Sequence, residues 1–213
     1  MHIYIKHVDQ ALMGTAQECF DNLIKPKNSL GKLEPMVTRY AAIRGVTKRS
    51  DLDCEKMGVF IFASPESMEL AGQLMADKSF HVNVVLGDRP SEIMEEAAML
   101  VQEFISKENY QLVAFEVLDK NKNSLTAVAG GMLQAAAMGV GIMHNGSATE
   151  RGLKLAVERE PEVADYVLGQ DDIMQFKVEK PGQRALMNFS LFMAGLKCYR
   201  EMATFQEAGI QHV

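Results

Sequence analysis

Gly58-Val59-Phe60-Ile61-Phe62-Ala63-Ser64-Pro65 is the stretch that decides the fold of this 213-residue chain. From Gly58 to Ala63 no polar residue interrupts the run, so a strand built from it has no face to offer water. Such a strand belongs in a parallel sheet covered on both sides. Ser64 and Pro65 then end it. A serine hydroxyl can cap the first turn of a helix, and proline suits the first helical position because the N–H it lacks would be unpaired there. The sequence predicts a helix from this point to about Asp77.

The same alternation continues downstream. His81 to Leu86 reads as a second strand, and Pro90 and Ser91 open a helix to about Lys107. Gln111 to Leu118 is a third strand, Asp119 to Ser124 a polar loop, about 126–138 a helix rich in Ala and Gly, and Val140 to His144 a fourth strand. Ser147 and Glu150 form a capping box for a helix to about Glu158, and a short helix follows near Glu162–Leu168. Strands alternating with helices predict right-handed βαβ units and a parallel sheet with helices on both faces. Helices at about 9–24 and from Leu30 or Lys32 to Arg44 precede this core, with Gly45 as a C-cap, and one at about 182–206 ends the chain. The expected architecture is a single three-layer α/β domain with a mainly parallel, Rossmann-like sheet. Its core spans about 57–160, and a helical lobe adjoins it from about 1–47 and 182–206.

Composition narrows the function. Apolar residues make up 47% and charged residues 23%, as in ordinary globular proteins. A net charge of −6 argues against nucleic acid as partner. Cys19, Cys54 and Cys198 are far apart and form no C-x-x-C pair, so neither a zinc site nor a disulfide framework is expected. The first residues lack a basic region followed by an apolar run, and no stretch approaches the roughly 20 apolar residues of a membrane span. The expected location is the cytoplasm. Fifteen methionines and no tryptophan point to an adaptable core rather than a metal site. No P-loop, G-x-S-x-G or dinucleotide fingerprint is present, and no cofactor is expected.

Upstream of the core lies Lys25-Pro26-Lys27-Asn28-Ser29-Leu30-Gly31-Lys32-Leu33-Glu34. It resembles the K-P-P-G-S-L-G-R-L-E segment of nicotinate-nucleotide:dimethylbenzimidazole phosphoribosyltransferases, which make the lower-ligand nucleotide of cobalamin. Leu125 to Ala137 resembles that family's L-x-G-M-T-G-x-x-L-G-A-A helix. Val140 to Gly146 resembles its next strand and turn, with Asn145 in place of Asp. Glu207-Ala208-Gly209 stands where the family has Glu-Gly-x-Gly. Two family features are missing. Ser64-Pro65-Glu66 replaces Asp-His-Gly after the first strand, and Asp119-Lys120-Asn121-Lys122-Asn123 replaces a glycine-rich loop whose amides suit a phosphate.

The resemblance implies transfer of phosphoribose from nicotinate mononucleotide to a benzimidazole-like base. Glu207 would be the general base, provided partial burial raises its pKa. Its bland reading is a frayed, exposed glutamate six residues from the end. Ser29, Gly31, Ser64, Glu66, Asn145 and Gly146 are the candidate substrate-binding residues, against bland readings as turns and strand ends. His144 shares the strand end with Asn145. Without the glycine loop the chain looks shortened and impaired in phosphate binding. The alternative is a non-catalytic relative, a pseudoenzyme binding a small aromatic base, a nucleotide or a partner protein in cobamide metabolism. A homodimer is implied too, with an apolar patch expected on the exposed face of the first two helices.

Overall fold

The computed structural model describes residues 3–46, 48–77, 80–143, 147–168 and 181–210, the side chains of residues 147 and 148 excepted. Four strands form one all-parallel sheet: β1 (Met57–Ala63), β2 (His81–Val84), β3 (Leu112–Val117) and β4 (Gly141–Met143), in the order β2-β1-β3-β4. Between and around them run α1 (Gln10–Asp21), α2 (Leu33–Arg44), α3 (Met68–Met75), α4 (Pro90–Glu108), α5 (Lys122–Ala137), α6 (Ser147–Arg159) and α7 (Gln183–Glu201). The expected α/β class, parallel sheet and alternation are all present.

The continuous apolar run of β1 is buried on both faces, as its sequence requires. Side chains alternate across a strand. Phe60 and Phe62 of β1, Val113 and Phe115 of β3 and Ile142 of β4 share one core with α4, α5 and α6. Val59 and Ile61, Leu112 and Ala114, and Met143 share the other with α1, α2 and α7. The helices expected as an adjoining lobe therefore supply the third layer of the sandwich. Gly45 closes α2 in the left-handed region, as its sequence context predicts.

Three local expectations are corrected. The helix predicted from Ser64 begins instead as a 3-10 turn, Pro65–Ser67, and becomes regular only at Met68. Ser64 makes no cap, because its hydroxyl is bonded to Glu66. The polar stretch expected as a loop to Ser124 contributes the first turn of α5, with Asn121 as its cap. The last helix stops at Glu201, not near 206. Among the described residues, neither α1 nor α2 exposes a large apolar side chain. Met68, Leu70 and Met75 of α3, with Leu86 after β2, are exposed instead, so the apolar patch anticipated on the first two helices is not there. No described helix is long and apolar enough to cross a membrane.

The Ala- and Gly-rich composition of α5 has a packing cause. A Cβ on Gly130 would lie 2.3 Å from the backbone oxygen of Met94 in α4, and one on Gly131 would lie 2.6 Å from the Phe115 ring. The two helices touch backbone to backbone. Replacing Gly130→Ala should cost about 1–3 kcal/mol, because a main chain cannot step aside. Gly14→Ala in α1, where a Cβ meets nothing, should instead gain up to about 1 kcal/mol. Urea unfolding of both variants checks the pair.

His81 begins β2 with its ring 3.9 Å from that of Phe104 and its Nε2 hydrogen-bonded to the Tyr110 hydroxyl at 2.8 Å. Burial pushes its pKa below the usual imidazole value, with Glu108 opposing and Lys107 assisting. The folded state therefore prefers neutral His81. The stability this contributes is complete above about pH 6.5 and is lost as pH falls towards the lower folded pKa. Unfolding midpoints at pH 7.5 and 5.5 should differ more in the parent than in His81→Leu.

Candidate functional site

The 25–34 segment is a chain of tight turns. Ser29 N–H donates to the Pro26 carbonyl at 3.1 Å, Gly31 N–H to Asn28 at 3.0 Å and Leu33 N–H to Leu30 at 3.1 Å. Asn28 and Gly31 turn the chain through the left-handed region at φ 57° and 53°. Ser29 and Gly31, both candidates from sequence, are exposed turn residues. The chemistry sits at the ends. Lys25 Nζ donates to Glu34 Oε1 at 2.8 Å, and Leu30 N–H donates to the same oxygen at 3.2 Å. The two side chains are only 5% and 3% exposed. Lys25 Nζ also stands 5.7 Å from the centre of the Phe20 ring. Glu34 Oε2 is buried with no hydrogen-bond partner among the described residues. A buried ion pair thus closes the ten-residue loop. Sequence reasoning passed over it, although the motif begins on a lysine and ends on a glutamate.

A second cluster lies at the carboxyl ends of β1 and β3, the edge where open α/β sheets bind ligands. The ends are adjacent, since Phe62 pairs with Val117 and Leu118 N–H donates to the Phe62 carbonyl at 3.0 Å. Ser64 is fully buried there. Its N–H donates to Asp119 Oδ2 at 2.8 Å, and its hydroxyl to Glu66 Oε2 at 2.8 Å. Asp119 Oδ1 accepts from Asn121 N–H at 3.0 Å and from the Ser124 hydroxyl at 2.9 Å. Burial pushes the Asp119 carboxyl up, but donors from Ser64, Ser124, Asn121 and Ser67 outweigh it and hold it below its usual value. Asn121 caps α5 by accepting from Asn123 N–H at 2.9 Å. One step back, Glu116 at the end of β3 accepts from Gly182 N–H at 2.6 Å and Ala185 N–H at 3.3 Å, at the start of α7. Two carboxylates of one short segment therefore face the amino ends of two helices. Asn145 and Gly146, with His144, lie outside the described residues.

Glu207 belongs to a third group of contacts. It lies in a C-terminal turn closed by Gly209 at φ 68°. Its Oε2 accepts from Thr204 N–H at 2.7 Å, and its own N–H donates to Thr204 Oγ1 at 3.1 Å. Arg49 Nη2 donates to both carboxylate oxygens at 2.9 Å. The side chain is 55% exposed. The Thr204 amide and hydroxyl, with Arg49, hold the Glu207 carboxyl below its ordinary value. The direction is opposite to the upward shift that partial burial was expected to give. Nor is this turn frayed: Ile24 N–H donates to the Ala203 carbonyl at 3.0 Å and Phe205 N–H to Asn22 at 2.9 Å. The turn is thereby fixed to the residues that lead into the Lys25 loop. Ser64 and Glu66 share one network, Glu207 sits in another, and Ser29 and Gly31 lie apart from both. Among the described residues no cluster of three or more His, Cys, Asp or Glu side chains could hold a metal.

Parts of the chain are similar to known proteins. A phosphoribosyltransferase family model matches residues 5–72, which include the whole Lys25–Glu34 loop and β1. A nicotinate-nucleotide–dimethylbenzimidazole phosphoribosyltransferase of Geobacter sp. (strain M21) is 41% identical over 85 residues, 38% of this chain and 23% of that protein. The protein of the same name from Chlorobaculum tepidum is 40% identical over 68 residues, 32% of this chain and 18% of its own length. Over these residues the chain is similar to this family. The matched stretch spans less than a quarter of either curated relative. Beyond it the likeness lies in the fold. Two crystal structures from Thermus thermophilus, one of CobT and one of the phosphoribosyltransferase of this name, superpose with a TM-score of 0.72 at 16% and 18% identity. They cover 95% and 96% of this chain and the whole of theirs.

The Lys25–Glu34 pair gives a direct test of what the loop depends on. Glu34→Ala leaves a buried ammonium without its counter-charge and should cost about 3–5 kcal/mol. The double change Lys25→Met with Glu34→Leu removes both charges and should recover most of that loss. Thermal unfolding of the single and double variants decides it.

Proposed function

We propose that this chain is a phosphoribosyltransferase-type protein impaired in binding the nucleotide phosphate. It acts as a non-catalytic member of the family, taking a small aromatic base or a partner protein in cobamide metabolism. One observation carries this reading. At the strand edge, where the resembling family has a glycine-rich loop, the Asp119 carboxylate accepts the Ser64 and Asn121 amides and the Ser124 hydroxyl. Donors that could face a phosphate are already engaged by a negative charge, and Glu66 adds another beside it. Coulomb repulsion and the loss of free amides both disfavour a phosphate dianion at this place. Transfer also requires ribose and base held in line, and losing that positioning can remove many orders of magnitude in rate.

The second reading is the transferase itself, with Glu207 as general base and the second subunit of a homodimer completing the site. Its support is the ordered C-terminal turn, docked beside the loop that most resembles the enzymes. Against it stands the basicity of Glu207, lowered by Thr204 and Arg49.

The deciding experiment incubates the protein with nicotinate mononucleotide and 5,6-dimethylbenzimidazole and assays α-ribazole phosphate by chromatography. No product above background is expected, and calorimetry should show no binding of nicotinate mononucleotide. Product that disappears in Glu207→Gln would overturn the proposal and establish the transferase.

A further inference from the structure

Arg49 makes more of its guanidinium than an exposed ion pair needs. Its side chain is 15% exposed. Nη1 donates to the carbonyls of Tyr199 at 3.2 Å and Met202 at 2.6 Å, where α7 ends and its last carbonyls lack helical partners. Nη2 forks onto both oxygens of Glu207. The same side chain therefore closes α7 and grips the turn that follows it. Glu207 is held from its own side as well, by reciprocal bonds with Thr204 that amount to a capping box for the 204–209 turn. That turn is bridged to the chain at Leu23, two residues before the lysine of the buried pair.

We propose that Arg49 and Glu207 form a latch that fastens the C-terminal turn against residues 22–24, with Arg49 as the positioning residue of the carboxylate. With the latch closed, Oε1 is engaged by Arg49 and Oε2 by Arg49 and Thr204, so Glu207 is a weak proton acceptor. A ligand bearing an acidic N–H gains its use only by drawing the carboxylate away from Arg49. Opening exchanges the Arg49 fork for one hydrogen bond from the ligand and leaves α7 capped, because Nη1 keeps its two carbonyls. The idea that Glu207 receives a proton rests on the transferase reading above; the latch does not.

The test uses the intact chain and needs no turnover. Amide hydrogen exchange at Ile24, Thr204 and Phe205 and the carboxyl carbon titration of Glu207 by NMR are followed in the parent, Arg49→Gln and Glu207→Gln. Glu207→Gln leaves both α7 carbonyl bonds intact and removes an exposed side chain's charge, so its fold is not at stake. Exchange at Ile24 and Phe205 should rise at least tenfold in both variants. The Glu207 carboxyl should shift upward in Arg49→Gln, part of the way to the ordinary glutamate range, since the Thr204 bonds remain. A merely structural role for Arg49 would loosen α7 without moving that titration in step. Unchanged exchange in Glu207→Gln, or an unchanged titration in a folded Arg49→Gln, overturns the proposal. Failure of the transferase reading shows separately, as absence of product in the parent.

Discussion

Strands β1 and β3 pair in parallel along six positions from Met57–Leu112 to Phe62–Val117, and Val59–Ala63 of β1 and Leu112–Phe115 of β3 are buried on both faces. That constraint organises the molecule. Both faces must be covered, so every connection has to carry a helix over the sheet, and α4, α5 and α6 take one side while α1, α2 and α7 take the other. Parallel strands return each connection to the same edge. The carboxyl ends of β1 and β3, the amino end of α5 and the amino end of α7 are consequently neighbours. Partial positive charge from helix ends collects there whether or not a ligand is present.

This chain fills that edge with its own carboxylates. A sheet edge rich in unpaired amides invites an anion. Here Glu116 serves α7, and Asp119 serves Ser64 and the start of α5. Both carboxylates come from the four residues that follow the apolar part of β3, so a short change of sequence suffices to fill the edge from within. Each hydrogen bond to a charged acceptor is worth about 1.5–3 kcal/mol in net terms. The filled edge is therefore part of the stability of the fold.

The legible and illegible parts of the sequence divide along physical lines. β1 is legible because double-sided burial leaves an unbroken apolar run, and Gly45 because a left-handed C-cap has few other residues to choose from. The first turn of α5 is not, since Lys-Asn-Lys-Asn looks like solvated loop until Asp119 and Asn121 are seen bonding its amides. Ser64-Pro65 is a sound cap signal for α3 in isolation, but the hydroxyl is diverted by Glu66 two residues away. Ser29 and Gly31 stand out as the motif's small residues, and the turns they lie in also bring Lys25 to Glu34. The grip of Arg49 on Glu207 spans 158 residues of sequence. No local pattern encodes a contact at that distance, and the direction of the Glu207 shift is unreadable without it.

The uneven likeness to known proteins has the same origin. Core positions on the two faces of the sheet accept any residue of about the right volume and apolarity, so a fold can persist at 16–18% identity. A buried lysine–glutamate pair is different. Altering either partner strands a charge in the interior, so the two positions can change only together. The Lys25–Glu34 loop lies within residues 5–72, the part the family model matches. The matched stretch thus includes a requirement of the scaffold. That requirement concerns architecture, while the hydrogen bonds of Asp119 at the strand edge and of Arg49 at the C-terminal turn are built from other residues.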